Sequence, residues 1–146
     1  MPPFAIEAVL QYRKRQEDIA HYRYIDACRT HAAVSAKLDR EMAVQEEVIL
    51  ERDNRQRDGL EIKHLLFYEE RIVFLDKTIA AITRTLADKA QLVSREQQNL
   101  QQKNRERQIM EKLKQQQNSS WQNHLNKQER KMLDEIAVIR RGSDKR

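Results

Sequence analysis

The chain contains almost no residues that interrupt a helix. Glycine and proline occur twice each, both prolines stand at the start as Pro2 and Pro3, and Gly59 is the one such residue between Phe4 and Arg141. A stretch of this composition either folds as helix or stays disordered. Hydrophobic residues make up 39% of the sequence and recur at regular intervals, which gives the chain apolar surface to bury. The sequence therefore predicts long helices.

The clearest periodic pattern lies in the second half of the chain. Apolar residues alternate there in steps of three and four, the heptad spacing of a coiled coil. Lys89 interrupts the pattern, and Val93 and Leu100 continue it. We expect one long helix over about residues 61–141. The uninterrupted part of its seam consists of Leu65, Tyr68, Ile72, Leu75, Ile79, Ile82 and Leu86.

A weaker seam lies in the first half, on an expected helix over about residues 4–53. After Leu38 the seam continues through either Glu41 or Met42 and then through Gln45 and Val48, so its register is left open there. The residues with regular heptad spacing before that point are Tyr24, Ala27, His31, Val34 and Leu38.

The expected bend is residues 54–60, NRQRDGL, which combine turn-forming residues with a glycine. Two helices joined by so short a connection lie antiparallel. A bend centred near residue 57 makes the numbers of facing residues add up to roughly 115. Val34 is then expected near Ile79 and Ile82. The predicted fold is all-α: a single antiparallel two-helix coiled-coil hairpin.

The second predicted helix is longer than the first, about 120 Å against 75 Å at 1.5 Å per residue. Residues beyond about Met110 therefore have no partner within the hairpin and form an overhang. The polar run 115–120, QQQNSS, leaves open a hinge, with Ser119 or Ser120 capping a new helix, or a continuous helix. It is followed by an apolar stripe that no remaining segment can cover, made of Trp121, Leu125, Met132, Leu133, Ile136 and Ile139.

The net charge of +5 is concentrated in the last third of the chain. Lys and Arg number 10 against 11 Asp and Glu in residues 1–58, 6 against 6 in residues 59–100, and 12 against 6 in residues 101–146, giving −1, 0 and +6. We therefore expect the overhang to meet an acidic surface of another protein. Nucleic acid is a weaker candidate, because acidic residues such as Glu106 and Glu129 interrupt the basic ones.

Motifs of catalysis and cofactor binding are absent from the sequence: there is no glycine-rich phosphate loop, HExxH, CxxC or glycine-flanked serine. The four histidines, His21, His31, His64 and His124, are scattered, so no metal site is expected. A two-helix hairpin also offers no cleft that could separate the pKa values of paired carboxylates. We predict that the protein is not an enzyme and has no catalytic, cofactor-binding or metal-binding residues.

The sequence predicts a cytoplasmic protein without direct membrane insertion. No run approaches the roughly 20 apolar residues that cross a bilayer, and residues 1–10 lack the basic start and apolar core of a signal peptide. A single cysteine, Cys28, fits a reducing compartment. The broken apolar stripe and mixed polar face of the overhang also disfavour a helix that lies on a membrane.

Three segments resemble the flagellar FliJ family. The tail, residues 129–141, reads ERKMLDEIAVIRR, and similar tails have a Leu/Met-Asp-Glu core followed by a small apolar residue and then basic residues. Residues 4–17, which contain LQYRK, look like the family's opening helix, and residues 104–114, which end in EKLK, look like a segment of its second helix. Chain length and hairpin plan also match. The resemblance therefore extends over nearly the whole chain.

The resemblance implies a component of flagellar protein export that is similar in shape to the central stalk of rotary ATPases. The implied partners are the export ATPase hexamer, the membrane-embedded export gate and the export chaperones, at the inner membrane below the flagellum. The free ends would meet the ATPase, and the bend would face the gate or chaperones. The candidate partner-binding residues are Trp121, Leu125, Met132, Leu133, Asp134, Glu135, Ile136, Arg140 and Arg141.

Alternatives remain open for these assignments. Trp121 could pack locally against Leu125, its i,i+4 neighbour, instead of binding a partner. Asp134 and Glu135 could form a solvated pair that contacts Arg130, Lys131 or Arg140. The chain could also be a generic coiled-coil scaffold or a virulence secretion stalk of the YscO type.

Overall fold

The chain folds as an antiparallel hairpin of two long helices. The computed structural model describes residues 2–144, and side chains over residues 2–142. Helix α1 spans Pro3–Arg57 and helix α2 spans Ile62–Asp144. No strand is found in this described part of the chain. The prediction of an all-α helical hairpin is confirmed.

Helix α1 begins at Pro3 and is longer than expected at both ends. Proline is well suited to the first position of a helix, because its missing N–H would have no partner there and its φ is already helical. The carbonyl of Pro2 accepts the N–H groups of Ala5 and Ile6. At the other end the helix continues to Arg57, four residues beyond the expected end.

The bend is shorter than the predicted one and lies at residues 58–61. The N–H of Asp58 still bonds the carbonyl of Asn54, which keeps 54–57 helical. Gly59 then adopts φ +92°, a left-handed conformation that side-chain-bearing residues rarely adopt. The carbonyl of Glu61 accepts the N–H groups of His64 and Leu65 and so starts helix α2.

The faces that the helices turn toward each other follow heptad spacing throughout. In the uncertain part of the α1 seam, Glu41 is half-buried and Met42 is exposed, which decides the register. The seam of α1 consists of Ile6, Leu10, Arg13, Glu17, Ala20, Tyr24, Ala27, His31, Val34, Leu38, Glu41, Gln45, Val48 and Arg52. The seam of α2 consists of Leu65, Tyr68, Ile72, Leu75, Ile79, Ile82, Leu86, Lys89, Val93, Glu96, Leu100, Lys103, Arg107, Met110, Lys114 and Gln117.

The chain divides into two compact units. We call Ile19–Gln101 the bend unit, and Met1–Asp18 together with Gln102–Arg146 the terminal unit. The bend unit has an apolar core of Val48, Tyr68 and Leu75, against which Val44, Leu60 and Ile72 pack.

Polar contacts surround the core of the bend unit. The Tyr68 hydroxyl donates to Glu51 Oε1 at 2.9 Å, and burial followed by this bond raises the pKa of Tyr68. Arg52 Nη1 lies 2.8 Å from Glu69 Oε1. The Arg55 guanidinium carbon lies 5.8 Å from the centre of the Tyr68 ring. These contacts join the last turns of α1 to the first turns of α2.

The terminal unit has a smaller apolar core and several ion pairs. Ile6, Leu10 and Met110 form the core, with Val9 packed against them. Across the same interface the helices exchange charged contacts, with Arg13 Nη1 lying 3.0 Å from Glu106 Oε2. Two further ion pairs join the described parts of the two helices in this unit, Glu7–Lys114 and Glu17–Arg107.

The register between the helices differs from the predicted one. The numbers of facing residues add up to about 120 rather than 115, as in Arg52–Glu69 and Arg13–Glu106, whose sums are 121 and 119. The difference arises because the bend is centred near residue 60 instead of residue 57. Val34 and Ile82 line one groove of the bend unit, as expected.

Candidate partner-binding site

The overhang is the part of α2 that extends past the start of α1, and it comprises residues 118–142. Every one of these residues is exposed, whereas Met110 is buried and Lys114 and Gln117 are half-buried. The predicted start of the overhang, near Met110, is therefore too early by about seven residues. The reason is the register: with facing numbers near 120, Pro3 lies opposite Gln117.

Helix α2 continues through residues 115–120 without a break. The run of Gln, Asn and Ser therefore forms no hinge, and neither Ser119 nor Ser120 starts a new helix. Propensity differences of a few tenths of a kcal/mol per residue are too small to end a helix that continues on both sides. The overhang is about 38 Å of helix at 1.5 Å per residue.

The apolar candidates of the overhang do not all share one face. At 100° per residue, Met110, Lys114 and Gln117 span about 60° of the circumference of α2. Trp121, Met132 and Ile139 fall within about the same 60°, and Leu125 and Ile136 lie about 20° and 40° beyond its edge. From here on, the stripe means these five residues, without the Leu133 that the sequence analysis included.

Two other apolar residues of the overhang lie off the stripe. Leu133 is about 100° round the helix from Met132, and Val138 is about 100° from Ile139. Both are well exposed, at 65% and 68%. Leu133 therefore lies on a different face from the stripe, although the predicted stripe included it.

The charged candidates of the overhang form no ion pair with another described side chain. Asp134, Glu135, Arg140 and Arg141 are exposed, and no salt bridge joins any described side chain in residues 118–142. The local contacts that the sequence suggested for Asp134 and Glu135 are therefore not made. This segment contains five Lys and Arg residues and three Asp and Glu residues, which gives it a net charge of +2.

Trp121 lies at the point where the hairpin ends and the overhang begins. Its ring is 61% exposed and lies 5.9 Å, centre to centre, from the His124 ring. The alternative of local packing thus involves His124, its neighbour in the following turn, and leaves most of the indole uncovered. A groove beside α1 is lined by Pro3, Gln117, Asn118, Ser120, Trp121 and His124.

Ion pairs hold the start of α1 against α2 just before the overhang. The Lys114 ammonium group donates to the Glu7 carboxylate, and this bond, followed by one from Gln11, lowers the pKa of Glu7. Hydrogen bonds to Glu17 and then to Glu111 raise the pKa of Arg107. The seam of α2 in the terminal unit is thus largely basic and is matched by acidic residues of α1.

The bend unit carries a second exposed apolar surface, which was not predicted from the sequence. Phe67 and Phe74 are seven residues apart on α2, so they share a face, and they are 61% and 67% exposed. Neither belongs to the seam. The signal was present in the sequence as two aromatic residues at heptad spacing outside the seam positions. We call these residues the aromatic pair.

Other kinds of site find little support in the structure. Within the described residues, no three His, Cys, Asp or Glu side chains are grouped so that they could hold a metal ion. Among the described helices, none combines the length and the apolar composition that are needed to span a membrane.

Comparisons with known proteins give one finding. The family model described as "Flagellar FliJ protein" matches residues 3–145, nearly the whole chain. No curated protein and no solved structure matched the chain.

Proposed function

Since the chain belongs to the flagellar FliJ family, and is thus a protein associated with flagellar export, we propose that it is a non-catalytic stalk that binds and stimulates the export ATPase ring through its overhang. The stripe and the exposed charges of Asp134, Glu135, Arg140 and Arg141 are the proposed contact surface. Glu135 and Arg140 lie within about 40° of the stripe, whereas Asp134 and Arg141 lie on the opposite side of the helix. The virulence secretion stalk and the generic scaffold are less favoured, because the matching family is flagellar.

The observation that carries the proposal is the uncovered overhang. Most of the stability of a helix in a protein comes from packing of its apolar face, and the overhang has no such packing against α1. Full burial of a large apolar side chain contributes about 1.5–3 kcal/mol, so covering five of them offers a substantial driving force for docking. The continuous helix through residues 115–120 would hold the stripe in a fixed orientation relative to the core at Met110.

The aromatic pair is the proposed contact for the other partners. Exposed aromatic side chains are enriched at binding hot spots, and Phe67 and Phe74 lie on the unit that contains the bend. We assign this surface to the export gate or the export chaperones. The protein would then act in the cytoplasm at the base of the flagellum, held to the inner membrane through these partners.

The first experiment tests stimulation of the ATPase. The intact protein should raise the rate of ATP hydrolysis by its cognate export ATPase, and a variant that lacks residues 118–146 should not. The shortened chain should still fold, because both apolar cores and the interhelical ion pairs described above lie before residue 118. A Tyr22→Ala variant, which alters an exposed aromatic residue of the bend unit, is the control and should stimulate normally. Lack of stimulation by the intact protein would refute the proposal.

A second experiment separates the two surfaces. A Phe67→Ala/Phe74→Ala double variant should lose swimming motility in cells and yet stimulate the ATPase normally. The matched control is Phe4→Ala, another exposed phenylalanine. Equal loss of stimulation and motility in the double variant would contradict a separate gate or chaperone surface.

A further inference from the structure

We infer that the segment covering the stripe is a single α-helix of the partner, which lies in line with α1 and runs antiparallel to α2. The inference rests on the proposed function, since it specifies what the export ATPase would present to the overhang. In this arrangement the partner helix packs against the part of α2 that extends past the start of α1 at Pro3. The two-stranded coiled coil of α1 and α2 is thus continued by the partner helix and α2.

The first support is continuity with an existing interface. In the terminal unit, α2 packs against α1 through Met110, Lys114 and Gln117, and Trp121 follows in the same three-four spacing. The rest of the stripe stays within about 40° of that face. The surface left bare by the overhang is therefore the same kind of surface that α1, an α-helix, already covers.

The second support is a groove beside the first turn of α1. Pro3 and Trp121 line one groove together with Gln117 and His124. A helix in line with α1 would reach Pro3 beside Trp121 and fill this groove.

The direction of the partner helix follows from electrostatics. The first turn of α1 contains no acidic residue that would offset the partial positive charge of its N-terminus. A partner helix that ends there would place its negative C-terminal end against this positive end, whereas the opposite direction would bring two positive ends together. The favoured direction is that of α1, antiparallel to α2.

Charge also decides against a second copy of this chain as the occupant. In an antiparallel dimer that pairs Trp121 of one copy with Ile139 of the other, Glu129 of one copy would lie close to Glu129 of the other. The two copies of Lys131 would likewise lie close together. A parallel copy in register would place Glu135 against Glu135 within the seam. Like charges opposite each other disfavour both arrangements.

The partner helix should instead complement these charges. In the terminal unit, α1 provides the acidic residues Glu7 and Glu17 to the basic residues Lys114 and Arg107 of α2. Lys131 borders the stripe and has no ion-pair partner among the described side chains. We therefore expect an acidic residue of the partner helix to lie opposite Lys131.

The test uses photo-crosslinking in the complex of the full chain with its cognate export ATPase. Leu125→p-benzoylphenylalanine, and the same replacement at Met132 or Ile139, should each give a crosslink to one segment of the ATPase. Because the helices are antiparallel, the ATPase residue number should fall by about seven from Leu125 to Met132 and by about seven more to Ile139. The same replacement at Leu133, on a different face of the helix, should give crosslinks in several-fold lower yield.

Each other outcome contradicts the inference. Crosslinks scattered over several ATPase segments would indicate loops, rising residue numbers would indicate a parallel helix, and crosslinks to this chain itself would indicate a second copy. Equal yields at Met132 and Leu133 would show that no single face is used. Stimulation without any crosslink at the stripe would overturn this inference alone, whereas loss of stimulation by the intact protein would overturn the proposed function and the inference with it.

Discussion

Arg107 of α2 donates from Nε to Glu17 Oε2 of α1 at 2.7 Å, and its Nη1 atom lies 2.8 Å from Glu111 on its own helix. Glu17 Oε2 also accepts from Asn104 Nδ2 at 3.2 Å. One carboxylate of the first helix is thus bonded to two side chains of the second. With an apolar core of only a few residues, the terminal unit depends on such contacts more than the bend unit does.

Removing the charge of Glu17 should loosen the terminal unit. The Glu17→Gln variant should lower the free energy of unfolding by about 0.5–1 kcal/mol, the range of partly exposed ion pairs. Hydrogen exchange of the amides in residues 5–18 should accelerate, with little change around Val48. The matched control is Glu47→Gln, since Glu47 is exposed and forms no ion pair with a described side chain. An equal effect of the two substitutions would contradict the role given to Glu17.

The pairing of Glu7 with Lys114 should weaken in acid. The hydrogen bond from Lys114, followed by that from Gln11, lowers the pKa of Glu7 from its ordinary value of 4.5. A carboxylate whose folded-state pKa is lowered stabilises the fold above its unfolded pKa, and this contribution disappears as the pH falls through the lowered value.

An NMR titration of the Glu7 carboxyl carbon checks the direction of this shift. Its midpoint should lie below 4.5 in the intact protein and move up in Lys114→Gln. Lys63→Gln is a control, because Lys63 belongs to the bend unit and pairs with Glu61. A midpoint that stays the same in Lys114→Gln would show that Lys114 is not the cause.

Gly59 and Gly142 offer a matched pair of glycine substitutions. A Cβ atom at either position would meet nothing within 4 Å, so only backbone conformation distinguishes them. Gly59→Ala should destabilise the hairpin by about 1–2 kcal/mol, because φ is positive there. Gly142→Ala should be neutral or slightly stabilising, because alanine favours helix. Chemical denaturation measures both, and a harmless Gly59→Ala would contradict the description of the bend.

Breaking the helix within residues 115–120 should separate folding from function. The Ser119→Pro variant should disrupt α2 locally at a cost of about 3 kcal/mol, at a position beyond the last half-buried residue of the seam, Gln117. The denaturation midpoint of the hairpin should change little, and stimulation of the export ATPase should be lost, since the stripe would no longer continue the seam. Ser119→Ala is the control and should retain stimulation. Full stimulation by Ser119→Pro would show that continuity of the helix is unnecessary.

The sequence was sufficient for the helical hairpin but not for its register. The α2 seam from Leu65 to Leu86 is entirely apolar, so heptad spacing alone identified it. The α1 seam contains the polar residues Glu41 and Gln45, so apolar spacing alone did not define its register after Leu38. The pairing depends on the centre of the bend, and a shift there of about three residues changes the sum of facing numbers by about five. Local turn propensity around Gly59 does not define the centre that closely.

The candidate site was predictable in composition but not in arrangement. An overhang that carries Trp121, Leu125 and Met132 follows from the unequal helix lengths and from the apolar residues near the C-terminus. Whether the stripe continues the seam at Met110 could not be decided while a hinge at residues 115–120 remained open. The separation of Leu133 from Met132, by contrast, follows from helical geometry alone, because both lie after residue 120. The aromatic pair was predictable, because the α2 seam from Leu65 to Leu86 already places Phe67 and Phe74 outside it.

Residues that face each other in α1 and α2 have numbers that add up to about 120 along the whole paired region. This fixed pairing restricts how the length of such a chain can change in evolution. Deleting one residue from α1 would shift every layer between the deletion and Pro3 by one position and bring seam residues against non-seam residues. Tolerated insertions and deletions in the paired region should therefore come as matched heptads, one in each helix. Changes in length beyond Gly142 escape this constraint, because they alter no pairing between α1 and α2.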